Sequence, residues 1–240
     1  MKKIGIVGGI SWTSTLDYYK YINEGINQKL GGLNSAEVMI YSLNYHEYQK
    51  LDNDSNTDAA LNLLLNAAKK LKNAGCEAVI LAANTAHLVA EKLESVLELP
   101  LIHIAIATAK EINKKGIPKI GLLGTLQTMQ LSFYKDKLRE KNIETLIPNK
   151  KEDRDFIHTS LTLELGKGII KTDTKQKYIN IINNLIEEGA EGIILGCTEI
   201  PLLISQNDVS VPIFNTTKIH ADAAVDFALS NVFLVNKQSK

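Results

Sequence analysis

Two cysteines in a chain of 240 residues are too few for a disulfide framework. Cys76 and Cys197 also lack a His/Cys cluster at ligand spacing, so no metal site is expected. Excess charge is missing as well: 27 Lys+Arg stand against 27 Asp+Glu, and neither a basic excess nor a basic stripe marks a nucleic-acid partner. The lysine pairs Lys114-Lys115 and Lys150-Lys151 read as solvated turns. No apolar run approaches the ~18 residues of a membrane span. At the start, Met1-Lys2-Lys3-Ile4 mimics a signal peptide, but Gly8-Gly9 and Ser11-Trp12 end the apolar run too early. A buried first strand and a cytoplasmic location are expected. What remains is the composition of an ordinary globular domain, 45% apolar and 22% charged.

Short Ile/Val-rich runs alternate with longer amphipathic segments. Strands are expected at Lys3–Gly8, Glu37–Leu43, Ala78–Ala82, Leu101–Ile104, Lys119–Leu123, Gly192–Leu195 and Val211–Phe214. Helices are expected at Ser14–Leu30, Thr57–Asn73, Thr85–Leu97, Gln127–Glu140, Lys175–Glu188 and His220–Leu229, with Asp52–Thr57 a surface loop. In the first helix, Leu16, Tyr19, Ile22 and Ile26 recur at three- and four-residue steps and predict one buried stripe. This alternation predicts an α/β fold of parallel strands covered by helices on both faces.

The chain also resembles itself. Lys3-Ile4-Gly5-Ile6-Val7-Gly8-Gly9 returns as Lys119-Ile120-Gly121-Leu122-Leu123-Gly124-Thr125. Gly75–Asn84 returns as Gly189–Thr198, and Pro100-Leu101-Ile102 as Pro212-Ile213-Phe214, at offsets of 116, 114 and 112 in one order. Three collinear matches predict two pseudo-symmetric lobes. The expected division is 1–98 plus 216–240 against 99–215, with the final helix packing on the first lobe.

In open parallel sheets, ligands bind at the carboxyl ends of the strands. Four such ends carry small polar groups: Gly8-Gly9-Ile10-Ser11, Ala83-Asn84-Thr85, Gly124-Thr125 and Gly196-Cys197-Thr198. Each precedes a helix candidate, whose free N–H groups suit a carboxylate. Ala83 and Cys197 are equivalent positions, so two facing lobes would present them to one cleft. A cysteine before a helix start favours thiolate, whereas a carboxylate as near as Glu199 raises its pKa. Proton abstraction from carbon needs a base within hydrogen-bond reach.

The same residues resemble the aspartate/glutamate racemase family. The likeness rests on Gly8-Gly9-Ile10-Ser11-Trp12-Thr13-Ser14-Thr15 with Tyr18-Tyr19, on Asn84-Thr85-Ala86-His87, on Gly124-Thr125 with Thr128-Met129, and on Gly196-Cys197-Thr198-Glu199-Ile200. It runs nearly end to end. The resemblance implies a cofactor-independent amino-acid racemase, an isomerase acting on a small free amino acid as a homodimer. It implies two cysteines flanking the α-carbon, with the α-carboxylate held by N–H groups and hydroxyls of both motifs. Here the first motif reads Ala83-Asn84-Thr85, so the chain is closest to single-cysteine members. Three explanations stay open: a one-thiol enzyme with water serving the other face, a form in which a thiol or hydroxyl residue was replaced by Ala83, or a chain that has lost racemisation. The resemblance also implies an arginine after the second strand and a later basic residue. This sequence offers Asn44-Tyr45-His46-Glu47-Tyr48 and Lys167 instead, which points to a broader preference than aspartate alone.

The expected roles are then Cys197 as acid/base, Ser11, Asn84, Thr85, Thr125, Thr128 and Thr198 as substrate contacts, His87 and Glu199 as tuning residues, and His46 and Lys167 as side-chain contacts. Each has a plainer alternative. Ser11, Asn84 and Thr198 are natural helix caps; Trp12 and His87 suit a core; Glu199 complements a helix dipole; Cys76 reads as structural. Gly5-x-x-Gly8-Gly9 lacks the dinucleotide spacing. Two rival functions remain: a cofactor-free decarboxylase of the arylmalonate type, and a non-catalytic amino-acid-binding relative.

Overall fold

The computed structural model describes residues 1–53 and 57–238. It divides into two compact units, Met1–His103 with His220–Lys240, and Ile104–Ile219.

The first unit holds a parallel three-stranded sheet in the order β2-β1-β3, formed by β1 (Ile4–Gly8), β2 (Val38–Ser42) and β3 (Ala78–Leu81). Side chains alternate across a strand. Ile4, Ile6, Ala78, Ile80 and Ala82 therefore enter one core with α1 (Trp12–Leu30) and α10 (Thr216–Gln238), through Tyr18, Ile22, Ile26, Ala224 and Leu229. Val7, Val79, Leu81 and Ala83 enter the opposite core with α3 (Thr57–Asn73) and α4 (Ala90–Leu97). Burial on both faces explains the unbroken apolar strands, each fully buried Ile or Leu contributing about 1.5–3 kcal/mol. A short helix, α2 (Tyr45–Asn53), follows β2.

The second unit repeats the plan with one more strand. Its parallel sheet runs β5-β4-β6-β7, from β4 (Lys119–Gly124), β5 (Glu144–Leu146), β6 (Ile193–Gly196) and β7 (Ile213–Asn215). Ile120, Leu122 and Ile194 pack on α5 (Ile104–Lys114) and α7 (Ser132–Arg139). Leu123, Ile193 and Leu195 pack on α8 (Lys151–Leu163) and α9 (Thr172–Glu187). A one-turn helix, α6 (Leu126–Gln130), leads from β4 towards α7.

Several expectations are corrected. Leu101 makes only a single bridge to Val79, and Ile104 already begins α5, so Leu101–Ile104 is not a strand. The helices α2, α5 and α8 and the strand β5 were not anticipated. The β5 pattern is broken by polar residues, Glu144-Thr145-Leu146, and pairing with β4 overrides its weak local signal. The stripe on α1 is rotated: Tyr18, Ile22 and Ile26 are buried, whereas Leu16 is 58% exposed and Tyr19 50%. Trp12 is 65% exposed and not core. Ser14 and Thr15 are buried because their hydroxyls bond backbone carbonyls, Ser14 to Ala82 and Thr15 to Ser11. Of the loop expected over Asp52–Thr57, Asp52 and Asn53 close α2 and Thr57 opens α3, while 54–56 lie outside the described residues. Lys114 closes α5 in an ion pair with Glu111, and Lys151 opens α8 paired to Asp155.

Candidate active-site motifs

In each unit the chain leaves the first strand towards one side of the sheet and later returns on the other. The topological switch therefore lies between β1 and β3 in the first unit, and between β4 and β6 in the second. Ligands of open α/β sheets bind at such points, outside the strand carboxyl ends. The four polar strand ends read from the sequence are the four that flank these two points.

In the first unit, Gly9 follows β1 with φ +82°, and a Cβ there would lie 2.1 Å from the Leu43 carbonyl oxygen. Glycine alone tolerates that turn and approach. The Gly9 amide donates to Thr15 Oγ1 at 2.9 Å. Ser11 has φ +21°, and its hydroxyl pairs with that of Thr13 at 2.5 Å instead of capping α1. Positive φ at a non-glycine residue stores backbone strain.

Beyond β3, Ala83 is 8% exposed and Asn84 5%, with Thr85 half-buried. Asn84 is not the helix cap expected: it has helical dihedrals and makes no capping bond. The chain enters a 3-10 helix, Thr85–Val89, before α4. Ring nitrogen Nδ1 of the buried His87 lies 2.9 Å from the Ala83 carbonyl oxygen. Burial, then the neighbouring His103, push the His87 pKa well below its ordinary value, so the ring is neutral.

In the second unit, Thr125 caps α6, its hydroxyl accepting from the Thr128 amide at 3.2 Å and meeting the Thr128 hydroxyl at 3.1 Å. Thr128 is fully buried. Beyond β6, the Cys197 thiol donates to Glu199 Oε2 at 2.9 Å, and the Thr198 hydroxyl donates to the same oxygen at 2.8 Å. Thr198 is therefore a partner of Glu199 and not a helix cap. Only a three-residue 3-10 turn, Ile200–Leu202, follows. The thiolate expected at a helix start is corrected: burial, then the charge and hydrogen bond of Glu199, push the thiol well above its ordinary pKa. Cys197 rests as a thiol.

The remaining expected residues are less committed. His46 is exposed in the first turn of α2, beyond the carboxyl end of β2. Lys167 is exposed in the short 3-10 helix Leu165–Lys167. Cys76 is 4% exposed in the first core, and burial raises its pKa. Among the described residues, no three His, Cys, Asp or Glu side chains are grouped to hold a metal ion. No helix described is long and apolar enough to cross a membrane.

Two residues escaped the sequence reading. Tyr178 is fully buried on α9, bonded to the Ser160 hydroxyl at 2.9 Å, and its phenol is pushed up by burial with contributions from Cys197 and Glu199. It looked like one more core residue beside Ile181 and Leu185. Thr217 is 3% exposed in the first turn of α10, and its hydroxyl has no hydrogen-bond partner among the protein atoms described. The Asn215-Thr216-Thr217 run from the end of β7 into α10 is polar and gives no sign of this burial.

The model of the Asp/Glu/Hydantoin racemase family matches residues 7–224, and the chain belongs to that family. It is 25% identical to the broad specificity amino-acid racemase RacX of Bacillus subtilis (strain 168), over 95% of this chain and 98% of that protein. It also resembles a solved candidate Asp/Glu racemase from Yersinia pestis, with TM-score 0.90 and 46% identity over 95% of this chain and 100% of that one. A solved aspartate racemase homologue from Pyrococcus horikoshii OT3 gives TM-score 0.84 and 40% identity over 95% and 99%.

Proposed function

We propose that this chain is a cofactor-independent racemase of free amino acids in which Cys197 is the single thiol that passes a proton at the substrate α-carbon. The observation that carries the reading is the Sγ–H···Oε2 bond to Glu199 at the switch point of the second sheet. A resting thiol is a proton donor, and the carboxylate beside it is a proton acceptor. When the α-hydrogen faces the sulfur, the thiol proton moves to Glu199, the thiolate takes the α-proton, and a carbanion forms. Water then protonates the opposite face, and the hydroxide so formed takes the proton from Glu199. In the reverse direction water removes the α-hydrogen, the Cys197 thiol protonates the carbanion, and the thiolate regains a proton from the hydronium by way of Glu199.

Ala83 has no exchangeable proton, so water serves the other face of the carbon. The carbanion is the main chemical obstacle. N–H donors and hydroxyls fixed before reaction, those of Ser11, Asn84, Thr85, Thr125, Thr128 and Thr198, stabilise the charge that spreads onto the α-carboxylate. His87 and Glu199 tune the two motifs. His46 and Lys167 are the polar groups offered to a substrate side chain. With no arginine in the Asn44–Tyr48 segment, the specificity extends beyond acidic amino acids, in line with the name of the Bacillus subtilis relative. The enzyme works in the reducing cytoplasm, where both thiols stay free, and as a homodimer.

Deuterium incorporation at the α-carbon, followed across a panel of L- and D-amino acids, tests the reaction. Incorporation that depends on Cys197 supports it. Binding without incorporation at high protein concentration would identify a non-catalytic binder. Carbon dioxide from a 2-substituted malonate would identify a decarboxylase, a reading disfavoured by the polar Asn84, Thr85 and Thr128. Glu199→Gln removes the charge that opposes thiolate, so Cys197 should ionise at lower pH and alkylate faster at a fixed mildly alkaline pH. An unchanged thiol pKa would separate Glu199 from Cys197.

A further inference from the structure

The first unit contains three histidines in ring contact, one tilted pair and one edge-on pair. The ring centroids of His87 and His103 are 4.7 Å apart, and those of His87 and His220 5.4 Å. Tyr18 on α1 meets His220 edge-on at 5.5 Å, with its hydroxyl 2.8 Å from Nδ1. Nε2 of His220 lies 2.5 Å from the Ile102 carbonyl oxygen. Tyr18 and His220 are both fully buried.

Carbonyl oxygens only accept, so a ring nitrogen held by one carries hydrogen; the His87 ring is held by the Ala83 carbonyl, with further backbone hydrogen bonds at Asn84 and Ile102. His220 must carry hydrogen at Nε2 for Ile102, which leaves Nδ1 bare to accept from the Tyr18 hydroxyl. His87 must carry hydrogen at Nδ1 for Ala83. Burial and the neighbouring His103 lower the His87 pKa, and burial with the nearby His87 holds His220 down to about 3. His103 acts on His87, His87 acts on His220, and the Tyr18 hydroxyl bonds His220.

The network joins α1, the residues after β3, the Ile102–His103 segment and α10. Two of these lead directly from strand ends with assigned roles: α1 from Ser11, and the His87 turn from Ala83-Asn84-Thr85. We propose that His87 and His220 are a neutral positioning pair, locked by Tyr18, which sets the backbone of Ala83-Asn84-Thr85 for the substrate carboxylate. Neither ring touches the reacting atoms. The assignment to a carboxylate rests on the racemase reading above; the positioning of the backbone does not.

The test starts on the protein alone. Long-range 1H–15N correlation of the imidazoles reads each tautomer. The expected result is His87 protonated at Nδ1 and His220 at Nε2, both neutral from about pH 5 to 8, where an ordinary histidine titrates. His87→Asn offers an N–H where Nδ1–H was, whereas His87→Leu offers none. The amide shifts of residues 83–85 should stay near wild type in His87→Asn and move in His87→Leu. With L-glutamate as probe, His87→Leu should raise KM for α-hydrogen exchange by about tenfold, the value of one hydrogen bond, and His87→Asn should restore it to within about threefold. Should His87→Leu fail to fold, Tyr18→Phe removes only the hydroxyl; it should free the His220 tautomer and shift the same amides. The opposite tautomers, unmoved amides in both His87→Leu and Tyr18→Phe, or a KM loss that asparagine does not rescue would each overturn the proposal. If wild-type protein exchanges no α-hydrogen, the racemase reading falls, and the tautomer and amide results still decide the pair.

Discussion

The two units carry one scaffold and opposite chemistries. Each sheet leaves its switch point through a first strand ending in glycine and a third ending in a small-residue turn. In the first unit that turn is Ala83-Asn84-Thr85, braced from behind by a neutral histidine. In the second it is Cys197-Thr198-Glu199, where a thiol and a hydroxyl share one carboxylate oxygen. The difference teaches that one duplicated fold can carry quite different side chains at equivalent strand ends. At the equivalent position one unit carries the Cys197 thiol and the other the Ala83 methyl.

The largest expected effect removes that asymmetry from the reactive side. Cys197→Ser should lower α-hydrogen exchange by about 10²–10⁴, the usual worth of a positioned acid/base, as measured by deuterium incorporation. A residual rate equal to wild type would move the chemistry away from the second unit.

Acid should separate the units next. The His220 pKa is depressed to about 3 from 6.5, so its neutral form stabilises the fold fully above about pH 6.5. That contribution is lost as pH falls towards 3, amounting to roughly 2 kcal/mol by pH 5. Amide hydrogen exchange should therefore show the first unit opening before the second on acidification, and His220→Asn should flatten the difference. Simultaneous opening would contradict it.

Ala83→Cys sharpens the comparison from the other side. A thiol at the equivalent position should raise racemisation by at least about tenfold, followed by optical rotation or chiral chromatography. No gain would mean that residue 83 does not address the substrate.

The smallest effect concerns the caps. Thr125 bonds the Thr128 amide, whereas Asn84 makes no capping bond. Thr125→Ala should cost about 1 kcal/mol of stability in urea unfolding. Asn84→Ala should cost less stability and more substrate affinity.

Much of this was legible in the sequence because its signals were repeated. The unbroken runs at Ile4–Gly8, Ala78–Leu81 and Ile193–Gly196 read as doubly covered strands, and their collinear recurrence announced two lobes. Thr57–Asn73 was legible to the residue because its apolar stripe is unbroken. The phase of α1 was not: Tyr18 and Tyr19 are equivalent by composition, and Tyr18 is the one that packs with Ile22 and Ile26 against the sheet and bonds His220. Glu199 was flagged from proximity in sequence, but its double hydrogen bond was not readable. Tyr178, Thr217 and His220 were invisible as polar partners, since each depends on contacts or packing that helical periodicity does not encode.

The most direct measurement of the central claim is the α-hydrogen exchange rate of the two enantiomers of one amino acid in deuterated water. A single thiol on one side of the carbon predicts rates that differ between L and D forms and that both collapse with Cys197→Ser. Equal rates for the two enantiomers, or exchange that survives the loss of the sulfur, would contradict it.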